Sequence, residues 1–136
     1  MNALDEKSLS LWMDTASVRQ GKPLARDAKA DVVVVGSGIA GLSIAYELGK
    51  LGQSVIVLDR GELAGGMTSR TSAHLTNALD DLYHELIRMR GLAEARSYFR
   101  GRTAAVDRIE EIQATEGIAC DFRRLDAYLF PAKTLI

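Results

Sequence analysis

The stretch Asp31-Val32-Val33-Val34-Val35-Gly36-Ser37-Gly38-Ile39-Ala40-Gly41 decides the fold. A β-branched run closed by Gly36 suits a strand buried on both faces of a parallel sheet. From Ile39 to Lys50 the pattern becomes helical. Ala45 and Leu48 continue the face set by Gly41 and Leu42, Tyr46, Glu47 and Lys50 are expected outward, and Leu51-Gly52 closes the helix. Val55-Ile56-Val57-Leu58 reads as a second buried strand, ending in Asp59. Strand, helix and strand in this order form a βαβ unit, right-handed by strong precedent.

Gly36, Gly38 and Gly41 fit G-x-G-x-x-G where the strand gives way to the helix. Gly36 makes the tight turn, Gly38 lets the backbone approach a pyrophosphate, and Gly41 lets helix and strand pack closely. Ser37, Ile39 and Ala40 complete the turn, and the helix N-terminus offers free N–H groups and a positive dipole end. Asp59, 18 residues beyond Gly41, ends the second strand. A carboxylate there can accept hydrogen bonds from the hydroxyls of an adenosine ribose and repels a 2′-phosphate. Strand, glycines, helix, second strand and acid in register make a chance glycine turn a poor explanation. The chemistry they suit is binding of an adenine dinucleotide.

Around this unit, residues 1–30 carry no sustained period. Leu9, Leu11, Trp12 and Met13 form an apolar cluster and Gly21-Lys22-Pro23 signals a turn, so we expect an arm with one short helix docked by Trp12. Residues 31–136 form the nucleotide-binding portion. Beyond Asp59 comes a glycine- and hydroxyl-rich loop, Arg60–Ser72. Leu75, Leu79, Leu82, Leu86 and Met89 then recur at helical spacing, a stripe expected in a core. A second long helix is predicted from Leu92 to Glu116, with Ala95, Phe99, Val106, Ile109 and Ile112 inward and Gly117 as its stop. Ile118–Phe122 and Ala127–Phe130 read as two short strands.

Composition bounds the function. The chain has 136 residues, 47% of them apolar and 26% charged, which is globular rather than disordered composition. A net charge of −1 gives no pull toward nucleic acid or an anionic membrane. The longest aliphatic run, Val32–Val35, is far below a bilayer span of ~20 residues. The acidic start Met1-Asn2-Ala3-Leu4-Asp5-Glu6 lacks an apolar signal core, so a cytoplasmic location is expected. One cysteine, Cys120, excludes an internal disulfide. With two histidines, His74 and His84, it also cannot ligate a Rieske cluster, nor do these make a zinc site.

FAD and NAD share the glycine fingerprint. A simple NAD module would continue from the second strand into another helix of the same sheet. Here the chain enters Gly65-Gly66-Met67-Thr68-Ser69-Arg70-Thr71-Ser72-Ala73-His74, whose small residues permit close backbone approach and whose hydroxyls can reach a pyrophosphate or ribityl chain. The plainer reading is a solvated loop with Thr71 or Ser72 capping the next helix, which is compatible with cofactor contact.

The fingerprint, Asp59, Arg60 and the Gly65–His74 stretch resemble the N-terminal part of the D-amino-acid-oxidase-type FAD-dependent oxidoreductases. Ser10-Leu11-Trp12-Met13-Asp14, Thr68–Thr76, Ala78-Leu79-Asp80-Asp81 and Glu116–Phe122 resemble the subgroup that carries a C-terminal Rieske domain. The likeness runs from about residue 8 to Phe130, and Asp126 stands where that subgroup is expected to have a glycine.

The resemblance implies FAD, with its ADP half on Gly36–Gly41 and Asp59 and Arg60 near the adenine end. Gly66, Met67, Thr68, Ser69 and Arg70 would lie along the pyrophosphate and ribityl chain. His74 would lie on the flavin side, either bonded covalently, as in some relatives, or packing near the ring without a bond, the second being preferred. The implied chemistry is hydride transfer from a C–H bond, usually next to an amine, to the flavin N5, followed by reoxidation by a second acceptor. The substrate would be a small amine-type molecule.

Substrate and Rieske domains are absent from these residues, so we expect an incomplete domain, inactive by itself, whose open sheet edges favour association. A non-catalytic dinucleotide-binding remnant and a small NAD-binding module are the alternatives. Cys120 is expected as a small buried hydrophobe. His84 reads as a solvated or core-edge residue. The arginines from Arg88 to Arg108 read as a solvated mixed-charge face.

Overall fold

The computed structural model describes residues 9–79 and 82–128. Their contacts divide the chain into two units, Met1–His74 and Leu75–Ile136.

The first unit is the βαβ motif with its arm. Strand β1, Val32–Val35, pairs in parallel with β2, Val55–Leu58, in the register Val32↔Val55 to Val35↔Leu58. Helix α1 is Leu11–Thr15, and α2, Ile39–Lys50, connects the strands. The glycine after α2 has the predicted role. Gly52 takes φ +81°, its N–H donates to Gly49 O, and the Gln53 N–H donates to Leu48 O, so two terminal carbonyls are satisfied.

Val34 is buried on the sheet face toward α2, where its Cγ1 lies 3.3 Å from the Cβ position of residue 41. Val33 and Val35 alternate to the opposite face and are 53% and 84% exposed. The sheet is therefore covered on one side only, whereas the apolar run suits cover on both. Gly41, Ala45 and Leu48 are half-buried as expected, but so are Tyr46 and Glu47, contrary to the outward placement; Lys50 is exposed, its ammonium 5.5 Å from the Tyr46 ring.

Each end of the strand pair is fastened by one aspartate and one serine. Ser54, just before β2, donates its N–H and hydroxyl to Asp31 Oδ2 at 2.8 and 2.6 Å, and the Asp31 N–H returns a bond to Ser54 Oγ at 2.9 Å. These bonds lower the Asp31 pKa. Ser37 and Asp59 make the corresponding clamp at the other end.

The second unit contains α3, Leu82–Arg90, and α4, Leu92–Thr115. Gly91, at φ +82°, turns the chain between them, and Tyr83 meets Phe99 edge-on at 5.6 Å. Ala95 is buried, Val106, Ile109 and Ile112 are half-buried, and Phe99 is exposed. Glu116 caps α4, and Gly117 at φ +63° ends it as expected.

Several expectations here are corrected. The helix predicted from Leu75 does not include residues 75–79. Arg102 on α4 donates to Thr76 O, Tyr83 donates its hydroxyl to Asn77 O, and Thr76 Oγ1 accepts the Ala78 N–H at 3.0 Å, so this backbone is held as a turn. The Leu75–Met89 stripe is accordingly not a core: Leu75, Leu82 and Met89 are exposed and only Leu79 and Leu86 are half-buried.

Nor is there a strand at Ile118–Phe122 or at 127–128; residues 129–130 of that expected strand lie outside the described residues. Ile118 N–H is used in capping α4 and Asp121 takes φ +51°, which breaks an extended run. Arg124 then ties the segment to α4 through Asp107 and Glu110, both at 2.6 Å. Cys120 is exposed rather than buried, because its segment joins no sheet that would cover it.

Solvated pairs such as Arg88–Glu85 and Arg108–Glu111 agree with the mixed-charge reading, and exposed His84 lies 3.4 Å from Glu85. Among the described residues no helix is long and apolar enough to cross a membrane.

Candidate functional site

The site gathers at the carboxyl ends of β1 and β2. The Gly36 N–H donates to Leu58 O at 2.8 Å, which carries the ladder one residue past β1, and φ +105° at Gly36 then swings the chain out of the sheet. Only a residue without Cβ adopts that angle at no cost. Helix α2 starts immediately, with Gly38 as its cap. A Cβ on Gly41 would stand 2.0 Å from Gly36 O, so the helix can begin this close to the strand only with glycine at 41.

The first turn of α2 leaves N–H groups without intrahelical acceptors. That of Ile39 donates to Thr68 Oγ1 at 2.9 Å, and the same oxygen is 3.3 Å from the Cβ position of Gly38. Thr68 therefore supplies the side-chain cap that Gly38 cannot. Those of Ala40 and Gly41 have no backbone acceptor among the described residues, and the positive end of the helix dipole lies at the same turn. Such a cradle fits a diphosphate.

Ser37, almost fully buried, donates both its N–H and its hydroxyl to Asp59 Oδ2, each at 2.7 Å. The Gly61 N–H donates to Asp59 Oδ1 at 2.9 Å. These bonds, the Ser37 hydroxyl foremost, hold the Asp59 pKa down from 3.8 to about 2. Asp59 is thus an ionised, exposed carboxylate beside the glycine turn.

The loop from Arg60 to His74 is anchored from two directions. The Ala64 N–H is shared between Ser37 O and Ser37 Oγ, both at 3.2 Å. The N-terminal arm holds the rest: Gln20 Oε1 accepts the Leu63 N–H at 2.8 Å, Ser10 donates its hydroxyl to Ser69 O, and Trp12 Nε1 donates to Thr71 O at 2.7 Å. The docking assigned to Trp12 is therefore present. Ser10, which caps α1, and Gln20 were not foreseen; no sequence signal linked them to a loop more than forty residues away.

Within the loop, Met67–Arg70 forms a 3₁₀ turn after Gly66, and Ser69 Oγ donates to Gly66 O at 2.9 Å. The structure brings Gly36, Ser37, Gly38, Ile39, Ala40, Gly41, Asp59 and Thr68 together. Ser69 and Arg70 follow half-buried, while Arg60, Gly66, Met67 and His74 stand at the exposed surface. The residues fit FAD at its ADP end: a small-residue cradle, free N–H groups and an ionised acid on one edge. Among the described residues no group of three His, Cys, Asp or Glu could hold a metal ion.

The model of the family of FAD dependent oxidoreductases, DAO, matches residues 31–134. The chain is 35% identical over 121 residues to YhfW of Bacillus subtilis, named as a Rieske 2Fe-2S iron-sulfur protein, covering 89% of this chain and 24% of that one. It is 31% identical over 105 residues to the oxidoreductase OrdL of Haemophilus influenzae, covering 77% of this chain and 24% of that one. Over 50 residues it is 48% identical to a D-amino acid dehydrogenase of Helicobacter pylori, covering 37% and 12% of the two chains. The chain spans about a quarter of the length of the first two relatives. No solved structure matches. The chain belongs to the family of FAD dependent oxidoreductases of the DAO type.

Proposed function

We propose that this chain is the N-terminal FAD-binding portion of an amine-oxidising flavoprotein, with residues 1–30 as a docking arm and 31–136 as the beginning of the Rossmann-like domain. The observation that carries the reading is the convergence of the glycine turn, the α2 N-terminus and ionised Asp59 at one end of the strand pair. Membership of the family supports FAD over NAD.

In this reading the N–H groups of Ala40 and Gly41 bind the diphosphate, Asp59 binds the adenosine ribose, and Arg60 lies near the adenine. Gly66 to Arg70 line the path toward the flavin, and His74 packs on the ring side without a covalent bond. The chemistry that FAD would supply when bound is acceptance of a hydride from a C–H bond next to an amine. The residues described here bind and orient; substrate contacts belong to the remainder of a chain as long as its relatives. The likeness to YhfW supports a parent protein with a Rieske domain. The edges of the strand pair are where further strands would associate.

Equilibrium dialysis of the chain against FAD and NAD tests the reading. Retention of FAD in preference to NAD supports it. Retention of NAD alone would favour a small nicotinamide-binding module, and retention of neither would contradict the dinucleotide-binding reading.

A further inference from the structure

One buried hydroxyl joins three parts of the site. Ser37 is 1% exposed, its hydroxyl donates to Asp59 Oδ2, and its oxygen accepts the Ala64 N–H. Asp59 Oδ2 takes the Ser37 N–H as well, which fills both of its lone-pair directions. Oδ1 takes the Gly61 N–H and, on an exposed side chain, is the oxygen that Ser37 does not engage. A carboxylate on an exposed loop end would otherwise rotate about its side-chain torsions and offer either oxygen in many directions.

We propose that the Ser37 side chain is a positioning residue of the nucleotide site, fixing the Asp59 carboxylate so that Oδ1 is the acceptor presented to a ribose hydroxyl. This deepens the nucleotide reading above and rests on it. The clamp orients the acid before the ligand arrives, so little orientational freedom is lost on binding. It also ties the acid to the loop through Ala64, so the ribose acceptor and the cradle form one rigid piece.

The test is calorimetric titration of the full chain with ADP and with 2′,3′-dideoxy-ADP, for the wild type, Ser37→Ala and Ser37→Thr. A hydrogen bond to a carboxylate gives the wild type a preference for ADP of roughly 10- to 100-fold. Ser37→Ala should shrink that ratio below ~5-fold, while Ser37→Thr, which keeps the hydroxyl, restores most of it.

The alanine variant retains the main-chain acceptor for the Ala64 N–H, so the loop keeps that anchor. Circular dichroism of each variant establishes that it is folded. If Ser37→Thr cannot accommodate its methyl group, the alanine ratio decides alone. Weakening of both ligands by the same factor, with the ratio unchanged, would overturn the positioning role and leave the hydroxyl a purely structural one. A wild type that binds FAD or ADP without preferring the ribose hydroxyls overturns the proposal and leaves the FAD reading standing. A wild type that binds neither overturns both.

Discussion

The carbonyl oxygen of Gly36 lies 2.0 Å from the position a Cβ on Gly41 would occupy. The turn and the first coil of α2 share that space, and the Gly36–Leu58 bond that ends the strand pair holds the turn in place. Gly41→Ala should therefore destabilise the chain by ~3 kcal/mol or more and abolish nucleotide binding. Gly49, also in α2, has open space at its Cβ position, so Gly49→Ala should stabilise by ~1 kcal/mol. Thermal unfolding followed by circular dichroism checks both, and equal effects would contradict the packing described.

Asp59 carries a pH signature. Its folded pKa is lowered to about 2, below the ordinary 3.8, by the Ser37 and Gly61 hydrogen bonds. A depressed carboxylate contributes stability that is full above the unfolded value and is lost as pH falls through the folded one. The contribution should therefore fade between about pH 4 and pH 2. Asp31, lowered by Ser54, acts in the same direction. Urea unfolding of the wild type and Asp59→Asn across the acid range should show a shallower decline for the variant; parallel curves would remove Asp59 from the account of acid stability.

Thr68 caps α2 through the Ile39 N–H, next to the Ala40 and Gly41 N–H groups proposed to bind the diphosphate. Thr68→Ala should lower the stability of the ligand-free chain by ~0.5–2 kcal/mol. Saturating FAD should recover part of that loss, since phosphate oxygens can accept the freed N–H. Thermal shift with and without FAD measures the difference, and an undiminished loss would place the diphosphate elsewhere.

Trp12 fastens the arm to the loop through Thr71 O. Trp12→Phe keeps the apolar ring and removes the donor, which should cost ~1 kcal/mol. Proteolysis within the Arg60–His74 loop should quicken correspondingly; unchanged cleavage would mean that Ser10 and Gln20 hold the loop unaided.

The βαβ unit was legible because its signals are local. Val32–Val35 and Val55–Leu58 are continuous β-branched or aliphatic runs, and Gly36, Gly38, Gly41 and Gly52 mark the helix ends between them. Residues 75–79 read as helix because Leu75 and Leu79 keep the helical period, yet Arg102, 26 residues beyond Thr76, captures the Thr76 carbonyl and the Tyr83 hydroxyl takes that of Asn77. The Ile118–Phe122 segment looked like a strand by composition, but no strand pairs with it and Arg124 holds its continuation against α4. At the site, the residue types were visible while their pairings were not. Ser37 read as one more backbone position in a glycine turn, and nothing in its spacing showed that its hydroxyl faces Asp59.

The central claim is that these residues hold FAD at the Gly36–Gly41 turn, and the visible spectrum of the purified chain, before and after acid precipitation, tests it most directly. The expected result is a flavin band, present on purification or restored by added FAD, that leaves with the supernatant because His74 makes no covalent bond. No band, and none restored by added FAD, would contradict it.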